Sequence, residues 1–248
     1  MSELRAENTL QSPVMDELEF TELLRSGIGS SELWRMRRST AITVGRGFCA
    51  VGVMLNTAVD PKKAAHQQIV ACSMLLRMAG ELTRASAKLL ASSQHYAGAA
   101  LLRQIVEVEY LTWTFKEGHR DPVKWLNSTH RERMEDFTPA QLRKTSHGRF
   151  LSRDYQDHCE QGGHPVPFGG HLLSGQNKLG AQLLMVDLIT HAWRTWDHVQ
   201  KWASNFPVVQ PIIGAANTKV FSALKKWGDV DPVYKAMVER YPNPEAPG

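Results

Sequence analysis

His95-Tyr-Ala-Gly-Ala-Ala-Leu-Leu-Arg103-Gln-Ile-Val-Glu107-Val-Glu109-Tyr-Leu-Thr-Trp-Thr-Phe115 is the stretch on which the fold turns. Leu101, Leu102, Ile105, Val106, Val108, Leu111 and Trp113 leave it without a polar face. A helix that is apolar nearly all round belongs at the centre of a bundle. Its only Asp, Glu, Lys or Arg residues are Arg103, Glu107 and Glu109. Arg103 and Glu107, four residues apart, can pair within the helix and are expected to be largely buried. Buried charges are costly without partners, so the pair either fixes helix register or serves a site.

Outward from this segment the chain is punctuated by helix starts, and no stretch reads as a strand. Asp-Pro occurs at 60–61, 121–122 and 231–232, and Thr138-Pro139 repeats the device. Asp or Thr accepts from the free N–H groups of a first turn, and proline at the first helical position loses nothing. Gly118 is placed to stop the helix before it. The expected helices lie near 14–26, 31–58, 61–92, 95–117, 121–136, 138–145, 152–161, 176–204, 213–228 and 231–240. The fold class is therefore all-α, a single-domain multi-helix bundle with a buried central helix. The domain spans 14–241, between disordered tails at 1–13 and 242–248.

The hydrophobic share of 42% and charged share of 22% are those of an ordinary globular chain. Cys49, Cys72 and Cys159 are far apart and odd in number, which suits free thiols in a reducing compartment. Residues 1–13 carry no apolar core of a secretory signal. The longest uncharged apolar run, Gly47 to Val59, is shorter than the roughly 20 residues of a membrane span. A cytoplasmic location with no membrane partner is the expectation.

Charge is unevenly placed. Residues 118–153 hold eight Lys or Arg against four Asp or Glu, a surplus equal to the +4 of the whole chain. Such a surface either meets phosphates or is a solvated helical face. In 176–204, Leu179, Leu183, Val186, Ile189, Trp193 and Trp196 recur at steps of three and four, an amphipathic stripe. Asp187, His191, Arg194 and His198 form a second, polar stripe, rotated by about 100°. It reads either as a site wall with two imidazoles or, more simply, as a solvated flank with an ordinary i,i+4 pair.

The segment from Arg153 to His171 concentrates chemistry: one Arg, three His and a Cys on a helix leaving into a Pro/Gly loop. His158, Cys159, His164 and His171 are ligand types for zinc, but their spacing matches no common zinc module. No Glu-x-x-His for a di-iron bundle occurs, nor a Walker A loop, a G-x-G-x-x-G fingerprint or a G-x-S-x-G elbow. Neither a metal nor a cofactor is expected. Gly162-Gly163 can simply end the helix, with Pro165 and Pro167 preventing its resumption.

Arg153, a polar Asp154 and His158 form an R-x4-H pattern that resembles the signature of HEPN domains, helical domains of which many are metal-independent ribonucleases. The resemblance implies that His158 is the acid–base group and that Arg153 holds the scissile phosphate. A broader likeness spans about 95–175: Leu101-Leu-Arg103-Gln-Ile-Val-Glu107, Trp125-Leu126, Phe137-Thr-Pro139 with Leu142-Arg143, then Tyr155, His158-Cys159 and His164-Pro165. That order is similar to bacterial all-helical proteins grouped with HEPN-like domains, some associated with abortive infection or phage defence. It favours His164 as the matched histidine and adds Arg103, Glu107, Arg143 and Tyr155 as binding residues. RNA or a nucleotide is the partner it implies. The rival reading is a non-catalytic helical interaction or scaffold protein. For it the seven tryptophans, several late in the chain, would supply a homodimer or partner interface.

Overall fold

The structure is a computed structural model that describes residues 22, 31–173 and 178–240, without the side chains of residues 153, 154 and 240. The expected helix near 14–26 and both tails lie outside the described residues, apart from residue 22. All regular structure among the described residues is helical. Four long helices carry the fold: α1 (Ser31–Thr57), α2 (His66–Ala91), α3 (His95–Lys116) and α8 (Lys178–Ala203). Between α3 and α8 run the short helices α4 (Pro122–Leu126), α5 (His130–Asp136), α6 (Pro139–Thr145) and α7 (Ser152–His158). A π turn (Cys159–Gly163) and a 3-10 turn (Pro167–Leu172) follow α7, and α9 (Gln210–Asn217), α10 (Val220–Gly228) and α11 (Pro232–Arg240) close the chain.

The apolar α3 is central as expected, packed between α2 and α8, and buries Leu102, Ile105, Val106 and Tyr110. Helices α1 and α2 approach closely because glycines line their crossing. A Cβ at Gly80 would stand 2.6 Å from the Gly45 carbonyl oxygen and 2.6 Å from Cys49 Sγ. That is a backbone approach no larger residue permits without displacement.

The capping signals largely hold. Asp121 accepts from Val123 N (2.8 Å), and Thr138 accepts from Gln141 N (3.4 Å). Gly118 follows α3 with φ of 70°. Asp60-Pro61 is a correction: Asp60 Oδ1 takes the Lys62 amide (2.9 Å) in a local turn, and α2 begins only at His66. The expected helix 121–136 is two helices. Thr129 and Glu132 exchange reciprocal bonds in a capping box, which starts a new helix at His130. Likewise 213–228 divides into α9 and α10.

Helix α11 is tied to α1 by a buried ion pair at its N-terminal cap. Arg37 Nε and Nη2 donate to Asp231 Oδ2 (2.6 Å) and Oδ1 (2.9 Å), both side chains being 0% exposed. Asp231 also accepts from Trp227 Nε1 (2.8 Å) and caps α11 through Val233 N (3.0 Å) and Tyr234 N (3.2 Å). Arg37 donates further to Gln182 on α8.

The late tryptophans correct the interface expectation. Trp193, Trp196, Trp202 and Trp227 are buried in the core, with Trp196 stacked on Phe48 and Trp193 on Tyr234. No helix among the described residues is long and apolar enough to cross a membrane.

Candidate functional site

Two polar groups flank α7, and the π turn sets their position. Gly162 lies against α3, where a Cβ would come within 2.6 Å of Ala100 N, and a Cβ on Gly163 would meet Arg103 Cδ at 2.4 Å. The glycines therefore do more than stop a helix. They let the turn lie directly on α3, which places Tyr155 and Cys159 against α3 and His158 against Asp187 of α8. The loop beyond is held to α3 by Tyr96, whose hydroxyl donates to the His164 carbonyl (3.1 Å).

The first group gathers around Tyr155. Arg103 Nη2 donates to Glu107 Oε1 (2.8 Å), and the Tyr155 hydroxyl donates to the same oxygen (2.8 Å). The Arg143 guanidinium lies over the Tyr155 ring at 4.5 Å and that of Arg103 at 5.8 Å. Burial, then the bond to Glu107, pushes the Tyr155 phenol above its ordinary range, so it stays a neutral donor. Burial works against the Arg103 charge, but Glu107 outweighs it and holds the guanidinium protonated. Among the described residues, Arg143 Nε and Nη1 and Arg103 Nε are shielded and meet no hydrogen-bond acceptor.

The pair Arg103–Glu107 is less buried than the sequence suggested, with side chains 21% and 28% exposed. Arg103→Ala is therefore expected to cost only about 1 kcal/mol, as for other solvent-reached pairs. Urea denaturation checks this, and a loss of about 3 kcal/mol would show that the pair behaves as a buried one.

The second group is deeper. His191 Nδ1 meets Glu109 Oε2 (2.5 Å) and its Nε2 faces Asp187 Oδ1 (3.3 Å). On the other side of Asp187, His158 Nδ1 stands 3.6 Å from Oδ2, and the two imidazoles meet edge to face at 5.1 Å. Glu109, His158 and His191 are buried, and Asp187, at 24%, is the member that reaches solvent. Burial alone would lower the His191 pKa, but the carboxylates of Asp187 and Glu109 prevail and push it up to about 10. Burial would raise both carboxyls. The imidazoles of His158 and His191 instead hold Asp187 down at about 2, and His191 likewise holds Glu109 low.

The polar stripe of α8 is thus no solvated flank, since His191 and His198 are buried. Sequence reasoning paired Asp187 with His191 but missed Glu109 as their third partner. The signal was present: Glu109 is a charge on a helix with no polar face, and a buried carboxylate requires a cation.

The remaining candidates divide. Arg153 lies in the first turn of α7, and its side chain is outside the described residues. His164 is exposed beyond the π turn, as is His171, so the zinc set of His158, Cys159, His164 and His171 is not brought together. Cys159 is partly buried and faces Arg103 and Tyr155. The basic segment spends much of its charge internally. Lys124 pairs with Asp136 (2.6 Å), Arg131 with Glu135 (2.8 Å), and Arg120 Nε donates to the Asp136 carbonyl (3.0 Å). A separate surface cleft, bordered by Phe115, Gly118, Trp202 and Phe206, contains none of these candidates.

No family model, curated protein or solved structure matches the chain.

Proposed function

We propose that this helical protein acts on RNA or a nucleotide as a HEPN-like phosphodiesterase. In this reading the Arg103–Arg143–Tyr155 face receives phosphate and His158 transfers the proton. One observation carries it. Two guanidinium groups converge on Tyr155, while Glu107 accepts from Arg103 and from the Tyr155 hydroxyl. Shielded guanidinium N–H groups without acceptors cost roughly 1–3 kcal/mol each, and a phosphate supplies the oxygens they lack.

His158 stands on the same short helix, one turn beyond Tyr155. Its Nδ1 faces Asp187 at 3.6 Å, and in this reading Nε2 is the atom that transfers the proton. Removing the proton of a ribose 2′-hydroxyl lets that oxygen attack the adjacent phosphorus. The bond to the 5′-oxygen then breaks, that oxygen takes up a proton, and a 2′,3′-cyclic phosphate remains. Positive charge from the arginines stabilises the phosphorane oxygens.

The test is RNA cleavage by the purified chain in chelator. Cleavage with cyclic-phosphate ends is expected. His158→Ala should lower the rate about 10²–10⁴-fold, the range of a lost acid–base group. Arg143→Ala should raise KM and lower kcat. His164→Ala should leave the rate near wild type, and loss confined to that variant would move the chemistry to the loop. RNA left intact by the wild-type chain would end the catalytic reading.

A further inference from the structure

We infer that His158, Asp187 and His191 form a binding site for a first-row divalent transition-metal ion, with Glu109 as its outer carboxylate. Three helices converge to make it: α7 brings His158, α8 brings Asp187 and His191 one turn apart, and α3 brings Glu109. One nitrogen from each imidazole and one carboxylate oxygen all lie within 4.8 Å of one another. Bonds of about 2.0–2.2 Å from a common ion require these donors to stand roughly 3–3.6 Å apart. Two contacts already fall in that range, His191 Nε2 to Asp187 Oδ1 at 3.3 Å and His158 Nδ1 to Asp187 Oδ2 at 3.6 Å, so the two oxygens of one carboxylate stand between the imidazoles.

Second, the outer arrangement is the one that ligating histidines need. An imidazole bound through one nitrogen donates from the other to a carboxylate, which fixes its tautomer and strengthens its basicity. His191 has Glu109 at Nδ1 and Asp187 at Nε2. With Nδ1–H given to Glu109, an arriving ion takes the place of the Nε2 proton that faces Asp187, and the Nε2 lone pair is then directed to the shared position. Third, the charges balance: two neutral imidazoles with the Asp187 and Glu109 carboxylates carry two negative charges against a divalent ion. Arg194, whose charge reaches both carboxylates, works against the cation and tempers affinity. Two nitrogens and one oxygen suit zinc or another first-row ion, with a coordination position left for water. The partly exposed Asp187 is the point of entry.

The consequence for activity rests on the ribonuclease reading. An ion held at His158 Nδ1 occupies that lone pair and leaves the Nε2 proton in place, so the imidazole cannot accept another. Occupancy then switches the phosphodiesterase off.

Chelator-treated full-length chain titrated with Zn2+ by calorimetry, and with Co2+ by its visible absorption, tests both parts. One equivalent is expected to bind. Asp187→Asn should nearly abolish binding, and Glu109→Gln should weaken it about 10–100-fold. The paired control His164→Ala with His171→Ala should bind as wild type. Circular dichroism verifies that each variant is folded. Absence of stoichiometric binding by the wild-type chain overturns the site, as does full-strength binding by a folded Asp187→Asn variant. Inhibition of RNA cleavage by one equivalent of Zn2+, reversed by chelator, supports the switch, and cleavage indifferent to bound zinc overturns it. Metal bound by a chain that never cleaves RNA overturns the ribonuclease reading and leaves the metal site standing.

Discussion

Asp231→Ala is expected to lower stability by about 3–5 kcal/mol, the cost of leaving a buried charge without its partner. Arg37 would face apolar core where it now has two carboxylate oxygens at 2.6 and 2.9 Å. The same substitution removes the acceptor for Trp227 Nε1 and the cap of α11, which places the loss toward the upper end. For a chain of this size that is a fall of roughly 6–20 °C in Tm. Arg37→Met should be milder, because it leaves a carboxylate that still has the Trp227 indole and two backbone amides as donors. Thermal and urea unfolding of both variants measure the difference, and an Asp231→Ala melt that overlays wild type would show the pair to be energetically idle.

Glu109→Ala comes next in size, at about 3 kcal/mol. The substitution opens a small cavity and leaves the His191 imidazole with Asp187 as its remaining carboxylate partner. Glu109→Gln keeps the volume and an acceptor oxygen, so about 1 kcal/mol is expected. Replacing Glu109 and His191 together with Leu should recover part of the loss, because no uncompensated charge then remains in the core. A double-mutant cycle by urea denaturation reads the coupling directly, and additive losses would mean that the two residues do not stabilise each other.

The helical architecture was legible because its starts are written locally. Asp121, Thr138 and Asp231 each accept from the first-turn amides that their positions before proline imply. The break between α4 and α5 was equally available in Thr129-x-x-Glu132, which the uniform polarity around it obscured. Asp60 fails as a cap for a different reason, since its side chain is satisfied two residues on and no helix follows until His66.

The site was half legible. Arg103, Glu107, Arg143 and Tyr155 come together as one group, and His158 belongs to the second, with Asp187 and His191. The link from Glu109 to the Asp187–His191 pair was hidden because it crosses 82 residues between two helices. Periodicity shows that a polar stripe exists but not what faces it. On α8 the stripe looked like a wet flank, yet it meets α3, whose lack of a polar face made its one deep carboxylate easy to pass over. The Arg37–Asp231 pair, 194 residues apart, left no local trace at all.

That separation also orders events in time. A chain leaving the ribosome folds from its N-terminal side as it emerges. The guanidinium of Arg37 is made early, but the carboxylate that neutralises it arrives only with residue 231. Until then the nascent bundle holds an ion it cannot bury, so α1 cannot settle fully against α8 and α10. A chain truncated before residue 231 is therefore expected to hold α1 less firmly, and faster cleavage of α1 in limited proteolysis would measure it.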